Sequence, residues 1–107
     1  RHVQLARIGP VIEWGRPAYG RRQPFLSQRA LHYAQLPWKV EGAELADFLL
    51  IDGRFRVATA ASAALHLRHP QVRIMIDDYT VRPQYSVVER FLDIEHAGVR
   101  CAVFTLN

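Results

Sequence analysis

Apolar residues fall along this chain in two patterns: short unbroken runs that end on acids, and longer stretches where they recur every three or four positions. The first pattern is that of a strand covered on both faces, the second that of a helix with one buried side. Phe48-Leu49-Leu50-Ile51 is the clearest run and predicts a buried parallel strand over Leu45 to Ile51, stopped by Asp52-Gly53. Between Arg54 and His69 strong helix formers dominate. Val57, Ala61, Ala64, Leu65 and Arg68 stand at helical spacing, and the alanines on the inner side would let the helix lie close to a sheet. Pro70 ends it, and Val72 to Ile76 forms a second apolar run that again stops at acids, Asp77 and Asp78. This strand-helix-strand unit is about thirty residues long, as a right-handed parallel crossover requires.

The flanks are less regular. His2 to Ile8 predicts a short strand closed by Gly9-Pro10, and Val11 to Pro24 a loop punctuated by Gly15, Pro17 and Gly20. Ser27 is placed to cap a helix over Gln28 to Gln35, with Leu31 and Tyr33 or Ala34 turned inward and Pro37 as its stop. Gln84 to Ala97 repeats the helical period through Val87, Val88, Phe91 and Ile94 or Glu95. Gly98 reads as its C-terminal stop, and Val99 to Leu106 as a last strand. Alternating strands and helices predict the α/β class, with a layered, mostly parallel sheet.

The chain's 107 residues suffice for one core, so positions 1–107 are expected to form a single domain, and a composition half hydrophobic and 22% charged excludes a disordered tail. The single cysteine, Cys101, lies in the last apolar run, which rules out an intrachain disulfide and fits a reducing compartment. With no apolar stretch near the roughly 20 residues of a membrane span and no signal-peptide pattern at the start, a cytoplasmic protein is expected. A net charge of +4 raises the question of nucleic acid. Only Arg16, Arg21 and Arg22 cluster, with Arg29 beyond, while the other basic residues are spread among acids. That distribution disfavours nucleic acid and leaves Arg16, Arg21, Arg22 and Arg54 as candidates for a small anionic ligand.

In an open α/β sheet, ligands bind beyond the carboxyl ends of the parallel strands. Asp52, Asp77 and Asp78 would meet at that edge, where carboxylates either take up protons, pair with cations or bind a hard divalent metal. The structural alternative is that Asp52 caps the following helix and Asp78 shapes the turn before Pro83, with Arg54 and Arg82 as counter-ions. His66 and His69 stand three apart with no third ligand in view, which favours surface positions over a metal site. Ser62 and Ser86 lack the glycines of a nucleophile elbow, and Trp14, Trp38 and Tyr19 read as packing anchors.

Two of these segments carry a resemblance. Asp47-Phe48-Leu49-Leu50-Ile51-Asp52-Gly53 and Ile74-Met75-Ile76-Asp77-Asp78-Tyr79 look like the fourth and fifth strands, with their turns, of class I S-adenosylmethionine-dependent methyltransferases. Val3 to Pro10 and Glu13-Trp14-Gly15-Arg16-Pro17 would match the third strand and its loop. The chain thus resembles the C-terminal half of such a domain, a partial Rossmann-like three-layer sandwich. The resemblance implies methyl transfer from S-adenosylmethionine to a small hydroxyl acceptor, with Asp52, Asp77 and Tyr79 as catalytic residues. It implies Asp52, Asp77 and Asp78 as ligands of a magnesium ion, and Arg7, Ile8, Gly9 and Asp52 beside the cofactor. The family's glycine-rich turn has no counterpart here, and Gly53-Arg54-Phe55-Arg56 stands where metal-dependent members carry a lysine base. A preceding segment or a second copy of the chain would have to supply the cofactor half, so a homo-oligomer is one expectation. A non-catalytic binding module, or an oligomerising remnant of the fold, is the alternative.

Overall fold

The computed structural model describes residues 26–107, with side chains from Leu31 onward. The expected first strand and loop, and with them Arg7, Ile8, Gly9, Arg16, Arg21 and Arg22, lie outside the described residues. A helix, α1 (Leu26–Gln35), runs into two short 3-10 turns, Leu36–Lys39 and Ala43–Leu45. Strand β1 (Phe48–Ile51), helix α2 (Arg56–His66) and strand β2 (Arg73–Ile76) follow. A 3-10 stretch, Pro83–Arg90, then leads into the hairpin of β3 (Leu92–Ala97) and β4 (Ala102–Leu106). Ser27 lies inside α1 and is not its cap, and the helical path continues past Pro37, which occupies the first turn of the 3-10 segment.

The four strands lie in the order β1-β2-β4-β3. The strand-helix-strand expectation holds: β1 and β2 are parallel, with Phe48 opposite Arg73 and Ile51 opposite Ile76. The expected mostly parallel sheet does not, because β4 runs antiparallel to both β2 and β3. Chain length decides this. The helix expected over Gln84 to Ala97 ends as a 3-10 stretch at Arg90, and the chain then enters a strand joined to β4 by the four residues Gly98 to Cys101. Strands linked by so short a connection pair antiparallel. Gly98 is therefore a turn residue and not a helix stop; its amide donates to the Cys101 carbonyl at 2.7 Å. Cys101 belongs to that turn and is half-buried.

The core is built from Ile74 and Ile76 of β2, Ala102 and Phe104 of β4 and Leu92 of β3, closed by Ala60 and Ala63 of α2 and Leu67 just past it, with Val72, Tyr79 and Val88 from the connections. On α2 the buried stripe is Arg56, Ala60, Ala63 and Leu67, one residue out of phase with the expected one, and Leu65 is exposed. Alanine at 60 and 63 brings the helix axis close to the sheet, and Leu67 covers the end of the stripe just past the last helical turn. β1 also departs from expectation: Phe48 and Leu50 are 52% and 54% exposed, so among the described residues this strand is covered on one face only and forms an edge of the sheet. No helix among the described residues is long and apolar enough to cross a membrane.

Candidate functional site

Beyond the carboxyl end of β1 the chain turns sharply through Asp52, Gly53 and Arg54 into α2. Phe55, the residue before the helix, has φ 54°, a left-handed conformation costly for an aromatic residue. Its ring is held edge-on against Tyr33 of α1, with centroids 5.6 Å apart. A Cβ on Gly53 would run into the Tyr33 hydroxyl, so glycine is what lets α1 close over this turn. The loop after β2 carries the second strained position, Asp78, at φ 60°. Both such residues thus stand at the carboxyl ends of the two parallel strands, where an α/β sheet places its ligands.

Between α1, the 3-10 turns, β1 and the start of α2 lies a cavity of about 430 Å³. Leu36, Pro37, Val40, Leu49, Leu50 and Ile51 make its apolar wall, and Tyr33, Asp52, Arg54 and Thr59 also line it. Its size falls within the range of small-molecule sites, roughly 300 to 1,000 Å³. The Thr59 Oγ1 is buried without a hydrogen-bond partner among the described residues, a state that costs free energy unless another group or water completes it.

The acids expected to converge behave differently from one another. Asp52 accepts a hydrogen bond from Arg56 Nη2 at 2.9 Å, and Asp78 Oδ2 lies 3.8 Å from the same atom. Arg100 donates to Asp78 Oδ1 at 2.6 Å, and Arg82 stands 3.9 Å from Oδ2. The hydrogen bond from Arg100, with Arg56 and Arg82 near, holds the Asp78 carboxyl below its ordinary value, although partial desolvation opposes it. Asp77 is anchored through its amide, which donates to the Ile51 carbonyl at 3.0 Å. Among the described residues no group of three histidines, cysteines or acids is close enough to hold a metal ion. Tyr79 lies in the core and not on the cavity. It is 7% exposed, packs edge-on to Phe104 at 4.9 Å, and donates its hydroxyl hydrogen bond to Glu89. Burial first, then that bond, push its phenol well above the ordinary tyrosine value.

Arg54 is among the residues that line the cavity. His66 and His69 make local contacts: His66 stacks on Trp38 at 5.2 Å with its Nδ1 on the Ser62 carbonyl, and His69 Nδ1 accepts the Gln71 amide. Sequence reasoning missed Tyr33, Thr59 and Arg56. Only Arg56 left a signal, its position four residues after Asp52 across the start of a helix.

No family model matches the chain, and no curated protein matches it. Among solved structures, it is similar to a methyltransferase-like protein from Silicibacter pomeroyi DSS-3, at 32% identity with a TM-score of 0.76. The match covers 95% of this chain and 50% of that one, so the chain spans about half the length of that relative. The sheet order, the parallel pair with its crossover helix and this likeness together give the chain a methyltransferase-like α/β fold.

Proposed function

We propose that the chain is the acceptor-side half of an S-adenosylmethionine-dependent methyltransferase, and that the cavity beyond β1 takes a small molecule bearing a hydroxyl. The observation that carries this reading is the cavity itself: an apolar wall with Asp52, Arg54, Tyr33 and an unpartnered Thr59 hydroxyl, beyond the carboxyl end of a strand in a methyltransferase-like fold. One carboxylate, one guanidinium and two hydroxyl-bearing side chains against aliphatic walls suit a small, partly apolar acceptor bearing a hydroxyl, which would receive its methyl group from S-adenosylmethionine. When bound, that cofactor supplies an electrophilic methyl group.

The chain's own residues bind and orient. Tyr33 and Thr59 line the place of the ligand, and the Asp52 carboxylate, held by Arg56, is a fixed acceptor for a hydroxyl proton at the rim. Leu36, Pro37 and Val40 give the wall behind an apolar surface. Fixed placement of two reactants is the main contribution such a site can make, since alignment alone removes several kcal/mol, of the order of 7, from a bimolecular barrier. Magnesium does not fit: Asp52 and Asp78 are already held by guanidinium groups, so no step is assigned to a metal. Calorimetric titration of the chain with S-adenosylmethionine, alongside its mass in solution, tests the reading. Saturable micromolar binding of the cofactor supports it, and a folded chain that takes up no cofactor in either monomeric or associated form refutes it in favour of a non-catalytic binding module.

A further inference from the structure

We infer that Arg56 is a built-in cation in the place where a divalent metal would otherwise bridge the carboxylates after β1 and β2, so that Asp52 is positioned at the cavity by the protein alone. Arg56 is 8% exposed, and its Nη2 lies 2.9 Å from Asp52 and 3.8 Å from Asp78. Its Nη1 donates to the Tyr85 hydroxyl at 3.1 Å, and its guanidinium lies over the Tyr85 ring at 5.8 Å from the centroid. A guanidinium stays charged at any ordinary pH, and its planar fork reaches two acceptors at once, which a lysine ammonium does not do with the same geometry.

The placement runs against local preference. Arg56 opens α2, where the helix dipole favours acids and opposes cations, and its Nε is buried without a partner among the described residues. A buried, incompletely satisfied cation at a helix N-terminus persists only if its charge partners outweigh those costs. Here they are the two carboxylates that the strand ends bring together. The surroundings then exclude a second cation: Arg82 and Arg100 also face Asp78, so three guanidinium groups oppose two carboxylates, and a divalent ion entering there would meet repulsion at short range. Arg56 is a positioning residue, acting on the ligand through Asp52.

The inference uses the proposed reading of the cavity only for what Asp52 faces, and its test uses no cofactor. Manganese and magnesium are titrated calorimetrically into the full chain, and terbium is followed by its luminescence, for wild type, Arg56→Met and Arg56→Met combined with Asp52→Asn. Wild type is expected to show no saturable binding at millimolar metal. Arg56→Met, with the cation gone and the volume kept, is expected to gain at least tenfold in terbium and manganese affinity, and the added Asp52→Asn to abolish that gain. Saturable wild-type binding that Asp52→Asn removes would overturn the inference, as would a folded Arg56→Met that gains nothing. If Arg56→Met does not fold, the wild-type and Asp52→Asn titrations decide alone: no saturable wild-type binding upholds the inference. A failed S-adenosylmethionine titration leaves each of these results unchanged.

Discussion

Replacing Tyr79 by phenylalanine removes one hydroxyl from the core and leaves the ring against Phe104 in place. The lost bond runs from a buried phenol to the Glu89 carboxylate. Hydrogen bonds to charged partners contribute about 1.5 to 3 kcal/mol, and because Glu89 is exposed and rehydrates once released, the lower end, about 1.5 kcal/mol, is expected near pH 8. Alkaline pH supplies the sharper test. Burial and the Glu89 bond raise the folded phenol's pKa above its unfolded value near 10. Stability from this group is therefore complete below pH 10 and is lost as the pH rises, because the unfolded chain releases the proton first. The loss reaches about 1.4 kcal/mol one pH unit above the unfolded pKa. Tyr79→Phe lacks this dependence, so the gap between the two proteins should nearly close by pH 11. Urea unfolding of both at pH 8 and pH 11, followed by circular dichroism, measures it. A gap that stays constant across that range would refute the account of a buried, carboxylate-bonded phenol.

Phe104, fully buried on a central strand, should cost about 3 to 5 kcal/mol on replacement by alanine, read as a fall in the urea midpoint at unchanged slope. Asp78→Asn keeps a residue that tolerates the left-handed backbone but removes the charge facing Arg100, Arg56 and Arg82. Since the folded Asp78 carboxyl titrates below its unfolded value near 3.9, its contribution is present above that pH and fades as the pH falls through the lower folded value. The melting temperature of Asp78→Asn should therefore lie below wild type at pH 7 and converge with it below pH 4.

How legible the fold was depended on which interactions set each element. β1 and β2 are short apolar runs with acids at their ends, and α2 is rich in alanine, so local pattern and tertiary role agree there. From Pro83 onward they disagree. Val87, Val88 and Phe91 suggest a helical period, but only Val88 is buried, and Leu92 onward is drawn into a strand by its hairpin pairing with β4, a cross-strand contact that the apolar period of one segment does not record. The phase of α2 was misread for a related reason. Its inner stripe starts with an arginine, and counting apolar residues cannot select a face whose first member is charged. In the candidate site, the acids were visible because strand ends locate them. Tyr33 and Thr59 were not, since their role depends on how α1 packs over the turn at Gly53.

The two borders of the sheet are unlike. Along β3 the outward residues include Asp93, Glu95 and His96, and the register slips between Ile94 and His96, so that border is both charged and kinked. Along β1 the sequence Phe-Leu-Leu-Ile offers no charge, proline or bulge among the described residues. The sheet is consequently a template with a direction: a strand arriving from elsewhere meets repulsion and misfit at one border and a regular, greasy ladder at the other. Among the described residues, β1 is therefore the border at which this sheet would grow, whether by a neighbouring segment, another polypeptide or unwanted aggregation.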